Sequence, residues 1–220
     1  MSERIHRIHA GCNCYLIRGA EGCVLIDTGV STRRRRLLRE LERAGCRADD
    51  LRLVVLTHGD ADHVGNAAAL QDAFGAPIAS HELEARMLET GDARANRQVK
   101  ADRLPWVLRL LMPIGRLLGE AKPVKPNVLL SDGDDLHAYG VDARVVHLPG
   151  HSRGSIGVLT GDGDLFCGDL LNGWRRPSLH FFIDDLPTAR ASIEKIRTLP
   201  VGRIHPGHGR SFTFEQLPRS

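Results

Sequence analysis

Aromatic residues are scarce in this chain: 6 Phe, 2 Trp and 2 Tyr make up 5% of it. That argues against the stacking platforms on which proteins hold single-stranded nucleic acid. A strong charge of either sign is also missing. A formal net charge of +3 and a pI near 8.7 are too mild to call for a nucleic-acid partner, and none is expected. No apolar run reaches the roughly 20 residues of a transmembrane helix. The opening Met1-Ser2-Glu3-Arg4-Ile5-His6-Arg7 has no apolar stretch of the secretory kind. The expectation is therefore a cytoplasmic protein without a membrane span. Cysteines are few and odd in number: Cys12, Cys14, Cys23, Cys46 and Cys167. None is paired at zinc-knuckle spacing, so buried free thiols in a reducing compartment are expected. Cys12 and Cys14 alternate within an apparent strand and share a face. Metal binding stays open to them, with core packing the simpler reading.

What the chain does have is apolar content for a core, 42% of 220 residues. This fits one large domain over 1–220, or a domain carrying an insertion. It also has one dense polar stretch, Leu56-Thr57-His58-Gly59-Asp60-Ala61-Asp62-His63-Val64-Gly65-Asn66. Four side chains able to bind metal fall within His58–His63, which is hard to ascribe to a chance polar turn. Before them, Leu51 to Leu56 reads as a buried strand; after them, Asn66 to Phe74 reads as a helix closed by Gly75. The cluster thus sits in a strand-to-helix loop, where binding chemistry concentrates.

The flanking sequence alternates strands and helices. Residues 4–9, 13–18 and 23–26 read as short strands punctuated by glycines. The third ends at Ile26-Asp27-Thr28-Gly29. There Asp27 either supports the cluster from behind or makes an Asx-type turn. Ser31 is a plausible N-cap for a helix from Thr32 to Ala44. Its Arg33-Arg34-Arg35-Arg36 run is either an anion patch or, better, a solvated face. A strand over Ala76–Ser80 and a helix over His81–Leu88 with Ser80 as cap follow. Residues 90–126 are basic, then apolar around Trp106, Leu110 and Leu111, and are cut by Pro105, Pro113, Pro123 and Pro126. They read as a helical insertion: a lid, a homodimer surface through 104–118, a membrane-surface contact, or a helical pair packed on the core. Strands return at Asn127–Leu130, Ala143–Leu148, Ser155–Thr160 and Leu165–Cys167. An irregular stretch, a helix over Thr188–Thr198 and a strand over Gly202–His205 follow. This double run suggests two similar halves packed sheet against sheet, with helices outside.

Three later positions repeat one pattern, an apparent strand end, a glycine and a ligand-type side chain: Gly150-His151, Gly168-Asp169 and Gly207-His208. Together with the cluster they supply four His and three Asp, enough for two divalent metals and an open position. In order along the chain, Asp27-Thr28-Gly29, His58-x-Asp60-x-Asp62-His63, Pro149-Gly150-His151-Ser152, Gly168-Asp169 and Pro206-Gly207-His208-Gly209 resemble the motifs of the metallo-β-lactamase-fold hydrolase superfamily. The resemblance implies an α/β fold, a four-layer αββα sandwich. It implies that His58, Asp60 and His151 hold one metal, that Asp62, His63 and His208 hold a second, and that Asp169 bridges them. It also implies catalysis by a metal-bridging hydroxide, with Asp62 in the catalytic set. Asp60 departs from the usual motif, which has His there. The added oxygen donor makes Mn or Fe more plausible, although zinc remains the expected metal.

The expected function is a metal-dependent hydrolase acting on an ester-type bond of a small molecule: a thioester, lactone or carboxylic ester. Two other readings remain. One is an iron-dependent sulfur dioxygenase, or another non-hydrolytic metalloenzyme, on the same fold. The other is a serine hydrolase using Ser152, Asp169 and His208, because Gly150-His151-Ser152-Arg153-Gly154 fits the nucleophile-elbow pattern. The strand expected directly after it argues against that elbow. His180 is a candidate substrate contact, and His147 and His205 lie beside ligand loops. The pocket walls are expected from 90–126 and 170–186.

Overall fold

The computed structural model describes residues 4–92 and 121–217. Strands β1 (Arg4–His9), β2 (Asn13–Arg18) and β3 (Cys23–Ile26) form an antiparallel meander. Helix α1 (Arg34–Arg43) then crosses over to β4 (Leu51–Val55), which pairs in parallel with β3. Parallel neighbours require such crossovers. The short α2 (Ala61–Val64) and α3 (Ala67–Phe74) lead to β5 (Ile78–His81), which continues into α4 (Glu82–Thr90). With β6 (Val128–Leu130), the first sheet has the order β1-β2-β3-β4-β5-β6.

The second sheet is built from β7 (Ala143–His147), β8 (Ile156–Thr160), β9 (Asp164–Gly173), β11 (Arg203–Gly209) and β12 (Phe212–Thr213), in the order β12-β11-β9-β8-β7. A short β10 (Ser178–Leu179) adds to β9. Helix α5 (Leu186–Arg197) crosses between β9 and the parallel β11.

Side-chain alternation divides the strands among three cores. In β2, Cys14 and Leu16 face one core with Leu37, Leu41 and Leu70 of the helices, whereas Tyr15 and Ile17 face the partner sheet. Between the sheets, Val24, Ile26, Leu53 and Val55 meet Val145, Val158 and Phe166. Beyond the second sheet, Leu165 and Ile204 pack against Ala189, Ile193 and Ile196 of α5. Three cores between helix, sheet, sheet and helix make the αββα sandwich. Burying each Leu or Ile side chain contributes roughly 1.5–3 kcal/mol. Cys12 and Cys14 lie fully buried in the first core with their sulfurs 3.9 Å apart, and all five cysteines are free and buried.

Several expectations need correction. Ser31 does not cap α1: a short 3-10 turn, Ser31–Arg33, precedes the helix, and no side chain caps either. Ser80 belongs to β5, and α4 is capped instead by His81, whose Nδ1 accepts from the amide of Leu83. The strand expected over Leu165–Cys167 runs on through Asp169 to Gly173, and the one expected over Gly202–His205 runs on to Gly209. Gly168 and Pro206-Gly207 looked like strand ends. They are irregularities within a continuous parallel pairing, with Pro206 opposite Gly168 and His208 opposite Asn172. The insertion expected over 90–126, with Trp106, Leu110, Leu111 and the 104–118 surface, lies mostly on residues 93–120, outside the described residues.

Candidate active site

The loop after β4 carries His58 and Asp60, and α2 carries Asp62 and His63. His151 stands between β7 and β8. Asp169 projects from β9 and His208 from the adjacent β11. The two sheets thus bring both halves of the chain to one edge. His58 and His63 have ring centroids 4.1 Å apart, His58 and His151 4.5 Å, and His63 and His208 5.5 Å.

Backbone geometry permits this crowding at two glycines in particular. Gly150 has φ +136, and a Cβ there would lie 2.5 Å from the Ala189 backbone. A Cβ on Gly207 would lie 2.2 Å from Asp169 Oδ1 and 2.6 Å from His63 Cε1. Side chains have no room at either position.

The outer nitrogens of three histidines are tied to oxygens. His63 Nδ1 lies 2.8 Å from Asp27 Oδ2. His58 Nδ1 lies 2.9 Å from Thr57 Oγ1, and that hydroxyl lies 2.9 Å from the same Asp27 Oδ2. Asp27 Oδ1 also accepts the Thr57 amide at 2.8 Å. His151 Nδ1 donates to the Phe182 carbonyl at 2.5 Å. When Nδ1 carries the proton, the Nε2 lone pair is left for the centre, the arrangement that orients metal-ligating histidines. Fittingly, the buried His58 Nε2, His63 Nε2 and Asp169 Oδ1 make no hydrogen bond. Buried polar atoms are rarely left so.

The ring of donors closes on short distances. Asp60 Oδ2 is 3.1 Å from His151 Nε2 and 3.6 Å from His58 Nε2. Asp62 Oδ2 is 3.1 Å from His208 Nε2 and 3.8 Å from His63 Nε2. Asp169 offers Oδ1 to His63 at 3.3 Å and Oδ2 to His208 at 3.4 Å. Three donor groups could each surround a cation among the described residues: His58, His151 and Asp169; Asp62, His63 and His208; and Asp169, His180 and His208. Asp169 belongs to two of them, whereas Asp60 borders the first without completing it.

Electrostatics follow from this crowding. Burial opposes the charge on Asp169, but the His63 charge and the His208 hydrogen bond hold its carboxyl well below the usual range. Asp62 is likewise depressed: burial opposes it, and His63 and His208 overcome that. Burial would lower His208, but hydrogen bonds to Asp169 and Asp62 raise it to about 9. His180 is pushed down to about 4, chiefly by burial.

His180, the candidate substrate contact, is buried. It is 5% exposed, stacks on His208 with centroids 5.6 Å apart, and sets Nε2 3.7 Å from Asp169 Oδ2. Beside it stand Trp174 and Phe181, each 50% exposed and stacked with centroids 5.0 Å apart. Trp174 and Phe181 lie in the stretch 170–186 from which a pocket wall was expected, although no motif singled them out. Thr57 was also missed; only its place beside His58 hinted at it. Ser152 hydrogen-bonds Glu84 and Ser155 rather than a histidine, and β8 follows directly, so no nucleophile elbow forms. His205 points away, to Asp164 and Ser211, and His147 stacks on His81.

A family model for the metallo-beta-lactamase superfamily matches residues 9–208. The chain belongs to the metallo-beta-lactamase superfamily. Within this superfamily it is similar to an acyl-coenzyme A thioesterase, MBLAC2, of Bos taurus. The two are 30% identical over 246 residues, covering 100% of this chain and 80% of the relative. It is 27% identical over 203 residues to a probable metallo-hydrolase, MJ0888, of Methanocaldococcus jannaschii, covering 90% of this chain and 87% of that protein. Among solved structures, TTHA1623 in a di-iron-bound form is 28% identical, has a TM-score of 0.73, and covers 98% of each chain. The αββα sandwich is the architecture of this superfamily. Among the described residues, no helix is long and apolar enough to cross a membrane.

Proposed function

We propose that this chain is a metal-dependent hydrolase of ester-type bonds, and first of all a thioesterase. The observation that carries the metal is the set of buried, unbonded atoms, His58 Nε2, His63 Nε2 and Asp169 Oδ1, at the focus of histidines whose other nitrogens are already engaged. On this reading His58, Asp60 and His151 hold one divalent ion, Asp62, His63 and His208 hold the second, and Asp169 lies between them. Such ions supply a bound water of pKa near 7 and polarise a carbonyl oxygen. The chain does the rest. Asp27, Thr57 and the Phe182 carbonyl fix the ring orientations, and the β9–β11 pairing sets Asp169 and His208 on adjacent strands. Asp62, with a side chain 32% exposed, is the most accessible carboxylate of the set and the candidate proton acceptor. Zinc is the proposed metal.

The thioester choice is supported by the thioesterase among the relatives and by the Trp174–Phe181 step. Exposed aromatic surface at a site mouth suits the apolar acyl part of a substrate. A hydrolysis panel of acyl thioesters, lactones, β-lactams and phosphodiesters, with and without chelator, tests it. Chelator-sensitive turnover highest on thioesters is expected. No chelator-sensitive turnover on any of them would overturn the hydrolase.

One observation favours a second reading. The di-iron form of TTHA1623 and the three carboxylates of this donor set both suit iron, so an iron-dependent sulfur dioxygenase is the competitor. Purified protein that retains iron and consumes oxygen with a persulfide would decide for it.

A further inference from the structure

Helix α4 carries a carboxylate for which the proposed chemistry has no direct use. Glu84 is fully buried. Its Oε2 accepts the Gly59 amide at 2.8 Å. Its Oε1 accepts the Ser152 hydroxyl at 2.7 Å and the Gly154 amide at 3.0 Å. Glu84 stands in the first turn of α4, where the helix dipole favours a negative charge. Three donors and a helix start together replace the water that a buried carboxylate loses.

The partners define what Glu84 joins. Gly59 lies between His58 and Asp60. Ser152 and Gly154 directly follow His151. These loops come from opposite halves of the chain and flank strands of different sheets, β4 of the first and β7 and β8 of the second. Glu84, from outside both, hydrogen-bonds each of them. The glycines are shaped for it. A Cβ on Gly154 would lie 2.7 Å from Glu84 Oε1, and one on Gly59 would lie 2.8 Å from Met87 Cβ and 3.2 Å from Glu84 Oε2. Ser152 is held in turn by Ser155, whose hydroxyl lies 2.7 Å from that of Ser152 and accepts the Ser152 amide at 3.1 Å. By contrast, the second donor group is anchored elsewhere, through Asp27 to His63 and through the β9–β11 pairing to His208.

We propose that Glu84 is a positioning residue that clamps the His58–Asp60 loop to the His151 loop, and so governs occupancy of the ion position those residues form. The proposal rests on the two-ion reading above. It separates the ion positions: the one formed by His58, Asp60 and His151 depends on Glu84, and the one formed by Asp62, His63 and His208 does not. Glu84 touches neither substrate nor metal, and acts through Gly59, Ser152 and Gly154.

The test is titration of metal-stripped protein with zinc, read by dialysis and elemental analysis, on wild type, Glu84→Gln, His151→Ala and the double variant. Glutamine keeps the shape but must face at least one donor with its own N–H. Wild type should take up two ions per chain. E84Q should keep one at unchanged affinity and bind the other roughly 10- to 100-fold more weakly, as for other groups that orient metal ligands. E84Q added to H151A should cost nothing further, because both act on one position. Ser152→Ala, which removes one donor and leaves the carboxylate, should weaken the same ion to a smaller degree. Amide exchange of metal-free E84Q should quicken at residues 58–60 and 152–154 and stay unchanged at 204–208. Two ions bound to E84Q at wild-type affinity would overturn the proposal, as would equal weakening of both. Wild type that binds no divalent ion would overturn the two-ion reading itself, and with it the occupancy claim.

Discussion

Asp27 Oδ2 and His63 Nδ1 lie 2.8 Å apart, and both side chains are buried. To put its carboxylate there, Asp27 leaves β3 with φ +58, the left-handed region that Asp tolerates better than most residues. The local strain costs on the order of 1–3 kcal/mol. Asp27→Asn should keep the turn but lose the charged acceptor for His63 Nδ1–H. Affinity for the ion that Asp62, His63 and His208 are proposed to hold should fall about 10- to 100-fold. Competition with a chromophoric chelator measures this, and unchanged affinity would count against the assigned role.

Gly207 borders the same centre from the opposite side. In Gly207→Ala the new methyl would point at Asp169 Oδ1 and His63 Cε1 at 2.2 and 2.6 Å. Neither neighbour can retreat, because one projects from a paired strand and the other is fixed by Asp27. Ion uptake should fall more than about 10-fold, as for other displaced ligands. The circular dichroism spectrum should stay that of the wild type, which distinguishes a blocked centre from a failed fold.

The raised pKa of His208 has a signed consequence. In metal-free protein it lies near 9, against 6.5 for an ordinary histidine. A group raised on folding adds stability that is complete below its unfolded pKa and lost as pH climbs through the folded one. Metal-free protein should therefore lose melting temperature between about pH 6.5 and about pH 9. Ion binding needs the unprotonated nitrogen, so it strengthens over the same interval. The gap in melting temperature between loaded and stripped protein should widen with pH across this window, as read by calorimetry. A constant gap would be inconsistent with His208 as a ligand.

Trp174 and Phe181 present their stacked faces to solvent beside His180 and His208. Replacing both by Ala should lower kcat/KM for long-chain acyl thioesters roughly 10-fold, equivalent to about 1.4 kcal/mol of lost contact. Acetyl thioesters, too short to reach the step, should be affected little. A uniform loss across chain lengths would show the pair to be structural.

Local sequence carried the fold a long way. Strands 4–9, 13–18 and 23–26 form over those residues; the last two have apolar cores, and all three are set off by glycine or a turn. Local sequence was misleading where pairing over long distance overrides it. Gly168 and Pro206-Gly207 are breaks by composition, yet β9 and β11 pass through them side by side. The His and Asp residues that the structure brings together were legible because side chains able to bind metal are chemically distinctive. Glu84 was not, because glutamate near a helix start usually faces solvent. Its burial depends on Gly59 and Gly154, which lie 25 and 70 residues away. Trp174 and Phe181 were equally silent, since an exposed aromatic has no spacing rule.

Residues 58–63 come from one sheet's half of the chain, and His151, Asp169 and His208 from the other. Neither half holds a complete set of donors. On the two-ion reading, a divalent ion is captured tightly only after the sheets have met across the core of Tyr15, Val55, Val158 and Phe166. During refolding, ion capture should mark the docking of the halves rather than the formation of either. The metal would then act as a latch on the sandwich as well as a reagent within it.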